Sequence, residues 1–395
     1  MLKKSFIFKI ISFVIVLVMV TSSTVFAIDF DSKEEKESLI GDNNLFVGDE
    51  TCVNDFITYT NEDDEYKSTI SQQNLNRLKS WFDTDEISVT EMYKEIFRGL
   101  GYSEEEIDEL GDEEINYIMD ESAGITANAQ YFIINENGDR ELVSKEKCLS
   151  FAETVNAKRE VERCNRISQI QNDKLLSENG GTILLAATSN SSYNIETKGA
   201  VKITTVSSYI SPSNVNNEKG WYYFTATFEW ITFPTQQWSD AFSLYVDNCA
   251  WSQNTNDIYS YMSYNELNVD RNGKTTQKDY KIEKYTKDRK VLSEGIYYSY
   301  ALPVDYYFMD LGYGSWHSYL RFYIRGKARI SHYTTPYAFN LFSQYEHLTK
   351  NFSVSAAFAW KVGANYPGVT VSATVNNNHT TFSSYNYTNY NPNYK

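Results

Sequence analysis

Two periodicities divide the chain. Between residues 66 and 188 apolar side chains recur mostly at three- and four-residue steps: Ile70, Leu75, Leu78, Trp81 and Phe82, then Met92, Ile96 and Phe97, then Ile107, Leu110, Ile115, Ile118 and Met119. This is the spacing of short helices with one apolar face. Ser88 with Glu91 and Ser103 with Glu106 stand where capping boxes would open two of them, and Gly99 and Gly101 interrupt the chain between. Tyr131 to Asn135 and Arg140 to Val143 flank Asn137-Gly138, which predicts a hairpin with a tight turn. A long polar helix is predicted from about Lys145 to Leu176. Its stripe of Leu149, Ala152, Val155, Cys164, Ile167 and Ile170 is wide enough to pack on one neighbour only. Gly180-Gly181 and the Ser/Asn cluster at Ser189 to Ser192 then mark a linker.

After the linker the period falls to two. Tyr222, Phe224, Ala226, Phe228 and Trp230 alternate with Tyr223, Thr225, Thr227 and Glu229, and Asn272-Gly273 sits at a predicted hairpin tip between Asn268 and Asp279. Ser353 to Val375 alternates in the same way on both sides of Pro367-Gly368. Strands with turns at short intervals over residues 189–395 predict an antiparallel all-β domain, a sandwich or barrel. The fold class is therefore α+β in two regions, a small acidic helical region at 66–188 followed by a larger Tyr-rich β domain at 189–395.

The amino terminus adds a compartment. Lys3, Lys4 and Lys9 precede an apolar run from Phe13 to Val20, and Val25-Phe26-Ala27 has the character of a peptidase site, so residues 1–27 read as a signal peptide cleaved near Ala27. The expected location is outside the cell. Residues 28–65 carry few large apolar side chains and end in the run Glu62, Asp63, Asp64 and Glu65, which predicts an acidic, flexible leader. Charge divides the chain at the same linker. Residues 28–190 hold 37 acidic and 15 basic residues, whereas residues 191–395 hold 15 acidic and 18 basic, and 26 of the 32 tyrosines lie in the second part. The formal charge of −16 argues against a nucleic-acid partner, because phosphates would be repelled by the molecule as a whole.

Three segments together resemble a group of uncharacterised secreted proteins of low-GC Gram-positive bacteria. They are Leu100 to Leu110, the strand Phe228-Glu229-Trp230 leading to Phe233-Pro234 and Trp238-Ser239-Asp240, and Tyr345 to Lys350. The resemblance covers most of the mature chain loosely. It implies the same layout of signal, helical region and β-rich end, and it implies no activity.

The most distinctive chemistry lies on one predicted strand. From Tyr319 to Ile330, Leu320, Phe322, Ile324, Ala328 and Ile330 face one way, and Tyr319, Arg321, Tyr323, Arg325, Lys327 and Arg329 face the other. Same-face neighbours lie about 6.8 Å apart on a strand, inside a Debye length of about 8 Å, so these cations repel one another and call for an anion. Three sources fit. One is an external anionic glycopolymer of a cell wall or surface, with arginines pairing its charges and tyrosines stacking on its sugars. The second is acids on an adjacent strand, and the third is the acidic region docked over the strand. The six residues are the candidate ligand site of a secreted, non-enzymatic binding protein.

Other classes have less to rest on. The histidines at 317, 332, 347 and 379 show no zinc spacing, and there is neither a nucleophile elbow nor a glycine-rich phosphate loop, so no metal, cofactor or catalytic residue is assigned. Glu229, Asp240 and Asp247 are the carboxylates a glycoside hydrolase would draw on. Cys249 with a histidine would make a thiol dyad, against the plainer reading of a buried or disulfide-bonded cysteine. The hairpin at Ser353 to Val375 has the alternation of a membrane-inserting element, which makes a secreted pore-forming protein the alternative. Four cysteines, at 52, 148, 164 and 249, permit disulfides without selecting a pairing, although Cys148 and Cys164 on one helix would be about 24 Å apart and unable to bond.

Overall fold

The computed structural model describes residues 53–390 apart from 63–64, 83–87, 135–139, 179–198, 235–238, 247–248, 286–289, 293–294, 304, 309–312, 331–336 and 349–378. The signal segment, nearly all of the leader, Cys52, the Asn137-Gly138 turn and the Ser353 to Val375 hairpin lie outside these residues. The described residues belong to one compact unit.

Strands begin earlier than the change of period suggests. After a 3-10 turn at Val53–Phe56 come β1 (Thr58–Glu62) and β2 (Glu65–Ile70), then helices α1 (Gln72–Phe82), α2 (Val89–Gly99) and α3 (Glu104–Met119). Strand β3 (Ser122–Ile134) and β4 (Arg140–Val143) follow, and α4 (Lys145–Glu178) closes the acidic part. The remainder is strand: β5 (Gly199–Ile210), β6 (Trp221–Trp230), β7 (Ser239–Val246), β8 (Cys249–Trp251), β9 (Ile258–Val269) and β10 (Thr275–Tyr285). After these come β11 (Lys290–Leu292), β12 (Gly295–Ala301), β13 (Tyr306–Phe308), β14 (Tyr313–Ile330), β15 (Tyr337–Leu348) and β16 (His379–Tyr390).

The larger sheet runs β1-β2-β3-β5-β6-β14-β9-β10, with β4 paired to β3 and both β8 and β13 paired to β14; the smaller runs β11-β12-β7-β15-β16. All pairings are antiparallel and neither sheet closes into a barrel among the described residues. The expected boundary at residue 189 does not separate two sheets. Strand β3, from the acidic part, pairs along β5 from Ile134 opposite Gly199 to Ser122 opposite Ile210. Likewise Thr58–Glu62, placed by sequence in the flexible leader, is the outermost strand of that sheet.

Burial follows the alternation. Phe224, Ala226 and Phe228 of β6, Leu320, Phe322 and Ile324 of β14, and Phe242, Leu244, Phe339, Leu341 and Tyr345 of the smaller sheet fill the space between the sheets. The Tyr345 ring stacks on Phe228 at 3.7 Å, and its hydroxyl accepts from Trp230 Nε1 at 2.9 Å. The opposite face of the larger sheet carries the helices. Leu75, Leu78, Met92, Ile96, Phe97, Ile107, Leu110, Ile115, Ile118 and Met119 pack there against Ile125, Val206, Tyr223, Tyr261 and Tyr323. Helix α4 docks its apolar start, Cys148 and Ala152, onto Ala129, Tyr131, Ile133 and Ala200, and beyond the single neighbour its narrow stripe predicts it also reaches Ile231, Phe233, Asp305 and Gly273 through polar side chains.

Both serines cap a helix, but only one of the two expected boxes is reciprocal. Ser88 accepts from Glu91 N, and Ser103 and Glu106 form a reciprocal box. Helix α3 is two helical segments joined at Gly111, whose φ of 75° and ψ of 162° lie in a region open essentially to glycine alone. In an unbroken helix Glu109 and Glu114 would point about 140° apart. The break resets the phase, so that both segments turn carboxylates toward the sheet.

Candidate functional site

The cationic face of β14 is turned inward, against the helices. Arg321 is 3% exposed and Arg325 4%. Arg321 Nη1 donates to Glu109 Oε1 at 2.8 Å, while its Nη2 and Nε reach Glu229 Oε1 on β6 at 3.0 and 3.2 Å. Arg325 Nε lies 2.6 Å from Glu114 Oε1, and its guanidinium covers the Tyr117 ring at 4.1 Å. Tyr323 Oη donates to the same carboxylate at 2.8 Å. Lys327 pairs with Glu121 at 2.8 Å, and Arg329 with Glu218 at 3.2 Å. The second and third anion sources named by the sequence thus operate together.

Tyr319 is the exception among the six. A register shift between Ser318 and Arg321 gives it a φ of 55° and leaves it 54% exposed, with the Arg321 guanidinium 5.9 Å from its ring. Sequence alternation cannot reveal a bulge, and period alone puts Tyr319 on the face of Arg321.

Beside this row lies a further buried ion pair that sequence reasoning missed. Lys202 of β5 donates to Glu106 Oε2 at 2.6 Å and to Gly101 O at 2.8 Å. Glu106 therefore serves as both capping residue and counterion. Burial is the largest single influence on the Lys202 ammonium and would lower it, but Glu106, Tyr131 and Glu229 together outweigh it and hold the pKa above its ordinary value. Burial raises both Glu229 and Glu109, with Glu106 adding to the first and Arg321 opposing both. Three carboxylates here face two cations.

The catalytic alternatives find no shared site among the described residues. Glu229 faces the helices, whereas Asp240 bonds Tyr345 Oη between the sheets, so sheet and core separate the two carboxylates. Asp247 lies outside the described residues. His317 has Nδ1 2.9 Å from Asp305 and Nε2 3.6 Å from Glu266, so both ring nitrogens face carboxylates. Asp305 in turn meets Arg159 of α4 at 3.1 Å. Cys148 and Cys164 are free thiols, and burial pushes Cys148 up to about 12. Among the described residues no cluster has the makings of a metal site, and no helix is long and apolar enough to cross a membrane.

One open cleft has the character sought on β14. It lies at the tip of the β9–β10 hairpin, holds about 460 Å³, and is lined by Arg271, Lys274, Tyr306, Tyr313, Asn268 and Asp270 among others. Asp270 Oδ1 accepts from the backbone of Asn272 at 2.8 Å and of Lys274 at 2.9 Å, which shapes the turn and points the two cations outward. Gly273 completes it at a φ of 71°, braced by Gln171 of α4. The Arg271 guanidinium sits 5.6 Å from the Tyr313 ring, and Tyr313 meets Tyr306 edge-on at 6.2 Å. Sequence reasoning found the hairpin tip but not the cleft, because the tyrosines arrive from β13 and β14.

No protein-family model matches the sequence, and no curated protein matches it. Among solved structures, Clostridium perfringens delta-toxin is similar over 39% of this chain and 80% of that chain, with 6% identity and a TM-score of 0.16. A likeness at that level transfers nothing to this chain.

Proposed function

We propose that the protein is secreted and acts outside the cell as a non-enzymatic binding protein for an anionic glycopolymer of a cell wall or surface. The observation that carries this reading is the distribution of cations. Those of β14 are consumed by the protein's own carboxylates, while Arg271 and Lys274 stand together at the β9–β10 tip and make no ion pair among the described residues. In a chain of net charge −16, such an end offers a polyanion a local approach against the repulsion of the molecule as a whole.

The test is binding of the purified mature protein to whole Gram-positive cell walls with and without teichoic acid, at low and physiological salt. Binding that needs the anionic polymer and weakens with salt is expected. Equal retention on both walls, or on neither, would overturn the reading.

A further inference from the structure

We infer that the cleft between the β9–β10 tip and the β13–β14 strands is a carbohydrate subsite, in which Arg271 and Lys274 hold the carboxylate, sulfate or phosphate of an anionic sugar and the Tyr306–Tyr313 corner takes the face of its ring. It rests on the anionic-polymer reading above and narrows it to particular residues and to one class of repeating unit.

Three observations converge. The first is charge: two cations flank the opening, and the one carboxylate between them, Asp270, is engaged by two backbone amides, with its pKa pulled below the ordinary value first by the Lys274 amide. Within the lining itself two cations thus stand against one carboxylate, with Glu266 set behind the wall on Ser315. The second is shape. A cleft of about 460 Å³ is in the range of sites for small ligands, and the nearly perpendicular Tyr306 and Tyr313 rings, at 75°, form a corner and not a flat plate. Tyr306 is 40% exposed and presents a ring on which a pyranose can stack.

The third is rigidity. Asp270 fixes the turn, Gln171 Nε2 donates to Gly273 O at 3.4 Å, and Tyr306 is held opposite Ser315 in the β13–β14 ladder. Behind the cleft wall Ser315 Oγ donates to Glu266 at 2.6 Å, and Glu266 faces His317. Little ordering is left to be done on binding, which favours affinity for a small unit. The tyrosine corner is what separates a sugar site from a general anion trap. Cations alone would accept any polyanion.

The experiment titrates the full mature chain, observed by ligand NMR and calorimetry, with four probes: a hexuronate oligosaccharide, a glycerol-phosphate oligomer carrying sugar, a neutral gluco-oligosaccharide and poly-glutamate. The two anionic sugars distinguish carboxylate from phosphate recognition. Expected are binding of at least one anionic sugar, neutral sugar and poly-glutamate weaker by tenfold or more, and a loss of tenfold or more in both Tyr313→Ala and the double variant Arg271→Ala/Lys274→Ala. Lys278→Ala, outside the cleft, is expected to bind as the parent does, and unchanged melting temperatures establish that the variants fold. Equal binding of poly-glutamate, or undiminished binding by the double variant, would overturn the inference. The two proposals fail separately. Wall binding that survives the double variant sinks the subsite and spares the wider reading; anionic-sugar binding by a protein that ignores walls does the reverse.

Discussion

The break in α3 makes a prediction whose sign separates two accounts of the helix. Gly111 has open space where a side chain would go, with nothing within 4 Å of an added Cβ, so Gly111→Ala introduces no clash. Its cost is purely conformational. Holding alanine at φ 75° and ψ 162° costs about 1–3 kcal/mol. If the segment instead straightened without loss, alanine would gain about 1 kcal/mol over glycine as a helix residue. Straightening is not free here, because it would swing Glu114 away from Arg325 and Tyr323 and strand a buried guanidinium. The variant is therefore expected to be destabilised by either route. For an m value of about 3 kcal/mol/M the urea midpoint should fall by about 0.3–1 M, followed by far-ultraviolet circular dichroism. A midpoint that stays or rises would refute the account of α3 as two segments held in phase by their ion pairs.

Other expectations concern the same layer. Arg325→Met leaves Glu114 buried without its cation and is expected to cost roughly 3–5 kcal/mol in urea unfolding, much of it recovered in the double variant with Glu114→Gln. Glu109 and Glu229 are raised by burial, so the folded protein binds protons there more tightly than the unfolded chain. The stability they contribute is full below the ordinary carboxylate value and is lost as pH rises through their folded values, so Glu229→Gln should reduce the fall in urea midpoint on going from about pH 5 to about pH 7. A pH dependence unchanged by that substitution would count against the excess-carboxylate cluster. For the thiols, a disulfide reagent should modify exposed Cys164 in the native protein and reach Cys148 only on unfolding, as peptide mapping would show.

What sequence disclosed and what it withheld have physical reasons. The Ser103–Glu106 capping box, the Asn272-Gly273 tip and the two faces of β14 after its bulge depend on neighbours within a few residues, and all three appear as expected, whereas Ser88 caps its helix without the reciprocal bond from Glu91. Strand β3 was seen only from Tyr131 onward. Ile125, Ala127 and Ala129 do alternate with Thr126, Asn128 and Gln130, but the small alanines give the period little weight, and Asn128 and Gln130 are themselves buried. The cationic face was recognised together with its need for an anion. Choosing between an external polymer and the chain's own acids required the topology that lays α3 along β14. The cleft depended on two hairpins meeting, which no local pattern encodes.

The seam between α3 and β14 constrains how this chain can change over time. Arg325 cannot be replaced alone without isolating Glu114, nor Lys327 without Glu121, nor Lys202 without Glu106, whose loss would also uncap a helix. Substitutions along the seam are therefore tolerated in matched pairs, and descendants of this sequence should carry correlated exchanges between helix and strand. A lineage that lost one member first would pass through a poorly folded intermediate. Alternating arginine and tyrosine would persist on such a strand with no ligand to select for them, kept in place by the acids they were folded against.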